Sequence, residues 1–105
     1  MTITEKREQD ALVIGLEGSL DTLTAPELEA FLDAGLDGVT ELTIDMEQLR
    51  YLSSAGLRVI LAAQKRMSRK GRMRITHVRS EIMKVFRITG FADILTIEES
   101  EKETE

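Results

Sequence analysis

The chain contains no cysteine and no tryptophan. Without thiols there can be no disulfide scaffold, no thiolate zinc site and no cysteine nucleophile. A single histidine, His77, excludes a multi-histidine metal site. Aromatic residues make up only 4% of the sequence, so the core must be aliphatic, built from Leu, Ile, Val, Ala and Met. No apolar run approaches the roughly 20 residues that a membrane-spanning helix needs. The opening segment MTITEKREQD lacks the apolar stretch of a signal peptide, which makes the cytoplasm the expected location. Positive charge is in deficit as well: 14 Lys and Arg against 19 Asp and Glu give a net charge of −5. That balance suits neither a general nucleic-acid binder, which needs a basic face for phosphates, nor adhesion to an anionic membrane. Its simplest consequence is solubility.

What is present is enough for one core. The 105 residues are 42% apolar, and the expectation is a single domain over 1–105 with a frayed acidic tail from about 98. Residues 2–8 read as a charged edge strand, and Gln9-Asp10 as a turn. ALVIGLEG follows, with Leu12, Ile14 and Leu16 alternating on one face of a strand. Thr24-Ala-Pro-Glu27 reads as a capping box, with Pro26 in the first turn of a helix over about 25–36 that stops at Gly35 or Gly38. ELTIDM is a second core strand carrying Leu42, Ile44 and Met46, with Asp45 on its other face or at its end. Residues 47–54 read as a loop.

From Gly56 the apolar spacing turns helical, through Leu57, Ile60, Leu61 and Met67, for about 12–14 residues. This helix closes in SRKG, where Gly71 can take a left-handed cap. MRIT is a third core strand. A short helix opens at Ser80-Glu81, carries Ile82, Val85 and Phe86, and ends at Gly90; residues 95–97 form a last strand. Strands alternating with helices predict an α/β fold with a mixed, mostly parallel small sheet, its first two strands antiparallel across their tight turn.

The unusual stretch is LRYLSSAGLRVILAAQKRM, residues 49–67, where two serines and a small Ala-Gly pair stand at the entry to a helix. Ser53 or Ser54 can cap that helix by accepting an otherwise unpartnered amide. From the local pattern alone a plain N-cap is the simpler reading; the other is that the hydroxyl is a modification site. A phosphate would bring about −1.5 to −2 charges, which the positive end of a helix tolerates.

YLSSAGLRVIL resembles the signature of the STAS domain family, named for sulfate transporters and anti-sigma factor antagonists. The family form is Asp or Ser, then Ser or Thr, a small residue, Gly and Leu; here these are Ser53, Ser54, Ala55, Gly56 and Leu57. The resemblance extends back through LTIDMEQLRYL and GSLDTLTAPEL and forward to Gly90-Phe91, about residues 3–97 in all. It implies a STAS-like fold and an anti-sigma factor antagonist with Ser54 as phosphate acceptor. The implied partner surface comprises Asp21, Thr22, Ser53, Ser54, Ala55, Gly56 and Arg58, with Asp45 supporting the loop. The implied partners are an anti-sigma factor that is also a serine kinase, and a metal-dependent PP2C-type serine phosphatase. One departure is Ser53, where many members have Asp.

Other readings stand beside this one. Asp45 can simply bond loop amides; as a hypothesis, Asp21 and Asp45 would also repel a phosphate on Ser54. Arg58 either faces solvent or meets the kinase. The basic run KRMSRKGRMR is a solvated helix end or a docking patch for an acidic partner, and His77 reads as a surface residue. With no phosphate-cradling glycine loop and no GxSxG elbow, an enzyme is not expected, nor any cofactor. The competing function is a STAS interaction module that uses no phosphate, working in a sensory complex or in a lipid-transport or transporter assembly.

Overall fold

The structure is a computed structural model that describes residues 1–99. In chain order it contains β1 (Thr2–Glu8), β2 (Ala11–Leu20), α1 (Ala25–Gly35), β3 (Glu41–Leu52), α2 (Ser54–Ser68), β4 (Arg72–Val78), α3 (Ser80–Thr89), a 3-10 turn (Phe91–Asp93) and β5 (Ile97–Glu99). The five strands form one sheet in the order β1-β2-β3-β4-β5. β1 and β2 pair antiparallel, and every later pairing is parallel. The mixed, mostly parallel α/β sheet expected from the sequence is therefore present. Each parallel pair is joined by a helix, and right-handed crossovers between sequential neighbours place those helices on one face. Leu12, Ile14 and Leu16 of β2 are buried toward them, whereas Val13 and Glu17 are exposed on the other face. The core is aliphatic apart from Phe86, and it includes Leu28 and Leu32 of α1, Ile60 and Met67 of α2, and Ile75 of β4.

Four local expectations need correction. Residues 47–52 are strand rather than loop, because β3 continues to Leu52. Its register against β2 skips a residue twice, between Asp45 and Gln48 and between Leu49 and Tyr51. Each skip is a β-bulge, which adds a residue to one strand and re-phases its faces. The buried positions accordingly run Leu42, Ile44, Met46, Leu49 and Leu52. Second, Thr24 precedes α1 but its side chain makes no cap bond. Its hydroxyl turns back to the preceding turn instead.

Third, Gly71 is not in a left-handed conformation. A Cβ at Gly71 would lie 1.8 Å from the Thr40 carbonyl oxygen, so glycine is required there by backbone approach. Fourth, the last strand is Ile97–Glu99 rather than 95–97, which places Glu98 and Glu99 in the sheet. The rest of the expected frayed tail, residues 100–105, lies outside the described residues. Gly90, by contrast, does close α3 at φ 80°.

Candidate functional site

The site forms where β2 and β3 end side by side. The Ser53 amide donates to the Leu20 carbonyl at 2.9 Å, which ties the exit of β3 to the exit of β2. Ser53 is extended, with φ −97° and ψ 173°, and is the N-cap of α2: its Oγ accepts from the Gly56 amide at 3.4 Å. The open choice between the two serines is thereby decided at this level, since Ser53 caps. Ser54 is the first residue of α2 and is exposed. Its hydroxyl has no hydrogen-bond partner among the described residues.

Gly56 is buried beneath this entry. A Cβ there would meet Leu20 Cγ at 2.6 Å and Leu52 Cδ1 at 2.9 Å. The smallness of Gly56 therefore serves the packing of α2 onto the strand ends, and burial removes it from the partner surface expected of it. Ala55 is half-buried, while Arg58, one turn further on, is exposed.

The turn after β2 forms the second wall. Asp21 Oδ1 accepts from the amides of Leu23 and Thr24, each at 3.0 Å. Thr24 Oγ1 accepts from the Asp21 amide at 2.8 Å and donates to the Ser19 carbonyl at 2.8 Å. The Thr24 amide beside it, then the Thr24 hydroxyl and the Leu23 amide, hold the Asp21 carboxyl below its ordinary value and outweigh desolvation. The carboxylate is thus engaged in shaping its own turn. Thr22 and Leu23 stand at the tip, with Leu23 86% exposed. Leu23 has no place in the expected site. The available signal was its position off the Leu28, Leu32 face of α1, since a large apolar residue left in water beside a functional loop is informative.

Asp45 is not part of this constellation. It lies within β3, paired with Thr76 of β4, and seven residue steps of strand lead from it to Leu52. At about 3.3 Å per residue that is on the order of 20 Å, too far for it to shape the Ser54 entry or to repel a phosphate there. Its carboxylate accepts from the Glu47 amide at 2.9 Å, the backbone role expected of it, and sits 3.2 Å from His77 Nδ1. That pairing with His77, from the neighbouring strand, went unseen in the sequence. Asp45, Glu47 and His77 bring three possible ligand atoms within 4.8 Å of one another, on the strand bodies rather than at the serine pair. Among the described residues no helix is long and apolar enough to cross a membrane.

A small mixed sheet with helices, and an exposed serine at a helix entry beside the Asp21 turn, make up the candidate site. Comparison with known proteins gives the family. Residues 3–97 match the family profile described as "Mlab, STAS domain". The chain belongs to the STAS domain family. It is 32% identical over 102 residues to BtrV of Bordetella bronchiseptica, named as a candidate anti-sigma factor antagonist, covering 95% of this chain and 88% of that one. An anti-sigma factor antagonist from Mycobacterium paratuberculosis shares the fold at TM-score 0.85, with 21% identity over 97% of this chain and 88% of that one. The anti-sigma factor antagonist SpoIIAA, in its unphosphorylated form, superposes at TM-score 0.81 with 20% identity, covering 98% of this chain and 92% of that one.

Proposed function

We propose that this chain is an anti-sigma factor antagonist worked as a phosphorylation switch at Ser54. Unmodified, it binds an anti-sigma factor that is also a serine kinase, and so frees that partner's sigma factor. The kinase transfers the γ-phosphoryl group of ATP to Ser54 Oγ; the hydroxyl proton leaves to a base on the kinase, and ADP departs. A metal-dependent serine phosphatase hydrolyses the ester and restores the hydroxyl. The chain is substrate and ligand in this cycle and catalyses neither step.

One observation carries the reading: of two adjacent serines, Ser53 is used by the fold and Ser54 is exposed and uncommitted. A phosphate on Ser54 would sit at the positive end of a helix of 15 residues, worth about 0.3–1 kcal/mol in its favour, so the fold tolerates it. The added dianion acts on the partner surface instead. The second reading is a STAS interaction module that uses no phosphate; the family match is compatible with both. Binding to the partner kinase with and without ATP separates the two. Ser54→Ala should bind and resist release by ATP, and Ser54→Asp should bind at least tenfold more weakly. Equal binding by the two variants, with no label from ATP on the wild-type chain, would leave only the second reading.

A further inference from the structure

We propose that Arg58 is the internal partner of a phosphate carried by Ser54, so that phosphorylation withdraws a cation from the docking surface while it adds a dianion. The inference rests on Ser54 being the modified residue. Ser54 and Arg58 are four residues apart on α2. Side chains at that spacing are neighbours on a helix surface, with Cβ atoms about 5–6 Å apart. Helical side chains also lean toward the N-terminus, so the guanidinium of Arg58 can reach back over the turn that holds Ser54. An anion placed N-terminal to a cation at this spacing is the favourable order. The planar guanidinium can meet two phosphate oxygens at once.

Arg58 is available for this role. Arg66, Arg72, Arg74 and Arg79 are paired with Asp33, Glu41, Glu98 and Glu81 respectively. Arg58 is exposed and has no hydrogen bond or ion pair among the described residues. Pairing with a phosphate therefore breaks no existing contact. Asp21, in the adjoining turn, holds the Leu23 and Thr24 amides through Oδ1 and makes no ion pair with Arg58.

The consequence reaches beyond Ser54. Arg58 also forms one wall of a groove of about 440 Å³, with Leu61, Ala62, Gln64, Lys65 and Ile94. Its apolar floor is flanked by two cations, and the buried Gln64 Oε1 has no hydrogen-bond partner among the described residues. With Ser54 unmodified, Arg58 and Lys65 face this groove together and suit a carboxylate on the partner. With Ser54 phosphorylated, the Arg58 charge is neutralised from within the chain. The partner then loses an attraction in the groove and meets a repulsion at its head.

The test needs no kinase. Phosphoserine is installed at position 54 of the full chain during translation, and its second ionisation, near pH 6, is followed by phosphorus NMR. The expected midpoint is about 0.3 unit lower in the otherwise wild-type chain than with Arg58→Gln, with Arg58→Lys in between. The gap should narrow at about 1 M salt, where the screening length is ~3 Å. Asp21 in the adjoining turn and Tyr51 at the end of β3 are common to all three chains and cancel in the comparison. Nitrogen NMR of the Arg58 guanidinium should register the phosphate as well. Equal midpoints in the Arg58 and Arg58→Gln chains, with an unmoved guanidinium signal, would overturn the pairing even if a kinase modifies Ser54. A chain that no kinase modifies would sink the switch and leave the pairing measurable.

Discussion

Gly56→Ala probes the junction on which the site depends. The substitution adds one methyl group, whose carbon would lie 2.6 Å from Leu20 Cγ, 2.9 Å from Leu52 Cδ1 and 3.0 Å from Leu20 Cδ2. Carbon atoms pack at about 3.5–4.0 Å, so the leucines must retreat by about 1 Å or α2 must lift off the strand ends. Both leucines are buried, at 0% and 4% exposure, so the strain passes into a close-packed interior. Forcing extra volume into such a core costs about 1–3 kcal/mol. Alanine returns at most about 1 kcal/mol through its better helix propensity, and less in a first turn. The expected net loss is about 1–2 kcal/mol, or a fall in Tm of about 5–10 °C for a domain of this size. Urea unfolding with an unchanged m-value is the assay. Gly35→Ala is the internal control: it ends α1, nothing lies within 4 Å of its added carbon, and it should be neutral or stabilising by up to about 1 kcal/mol. A Gly56→Ala chain as stable as wild type, beside a normal Gly35→Ala, would refute the argument that glycine is required there for packing.

Two further predictions concern the serine pair and its neighbouring turn. Ser53→Ala removes the N-cap acceptor of α2 and should cost about 0.5–1 kcal/mol, since the bond is long, whereas Ser54→Ala should change the urea midpoint by no more than about 0.5 kcal/mol equivalent. The reverse order would mean that Ser54, not Ser53, is the structural residue. The Asp21 carboxyl should titrate by NMR below the ordinary 3.8, because the Thr24 amide binds its charged form. A group depressed in the folded state adds stability above its unfolded pKa and loses it as pH falls through its folded pKa. The stability gap between wild type and Asp21→Ala should accordingly shrink under acid; a gap that widened, or a midpoint above 3.8, would contradict the turn geometry.

The alternation of Leu12, Ile14 and Leu16 and the helical spacing from Leu57 to Met67 made the sheet and α2 legible, because burial on one face imposes those periods. The Ser54 entry was legible too, through its two serines and Gly56. What failed to show was long-range geometry. The bulges in β3 move the buried positions from every second residue to every third after Met46, and a period-two reading stops where the phase breaks. Thr24 and Glu27 have the spacing of a capping box, yet the Thr24 hydroxyl is taken by Asp21 and Ser19, a choice fixed by how β2 exits the sheet. Gly71 reads as a helix cap until Thr40 is seen against it. The Asp45–His77 contact joins residues on neighbouring strands, and no local pattern announces which strands will be neighbours.

On the proposed reading, the two serines divide structure from signal, so that the switch is not a weak point of the fold. If a single serine had to cap α2 and also carry the phosphate, each modification would put a bulky dianion on the cap itself and rearrange the helix entry around it. Here Ser53 holds the Gly56 amide and the Leu20 carbonyl, and Gly56 seats α2 against Leu20 and Leu52. Ser54 contributes none of those contacts. Its environment can change by a full dianion while the strand ends and the helix axis stay fixed. On the proposed reading, the charge falls on the exposed Ser54 and not on the contacts that seat α2.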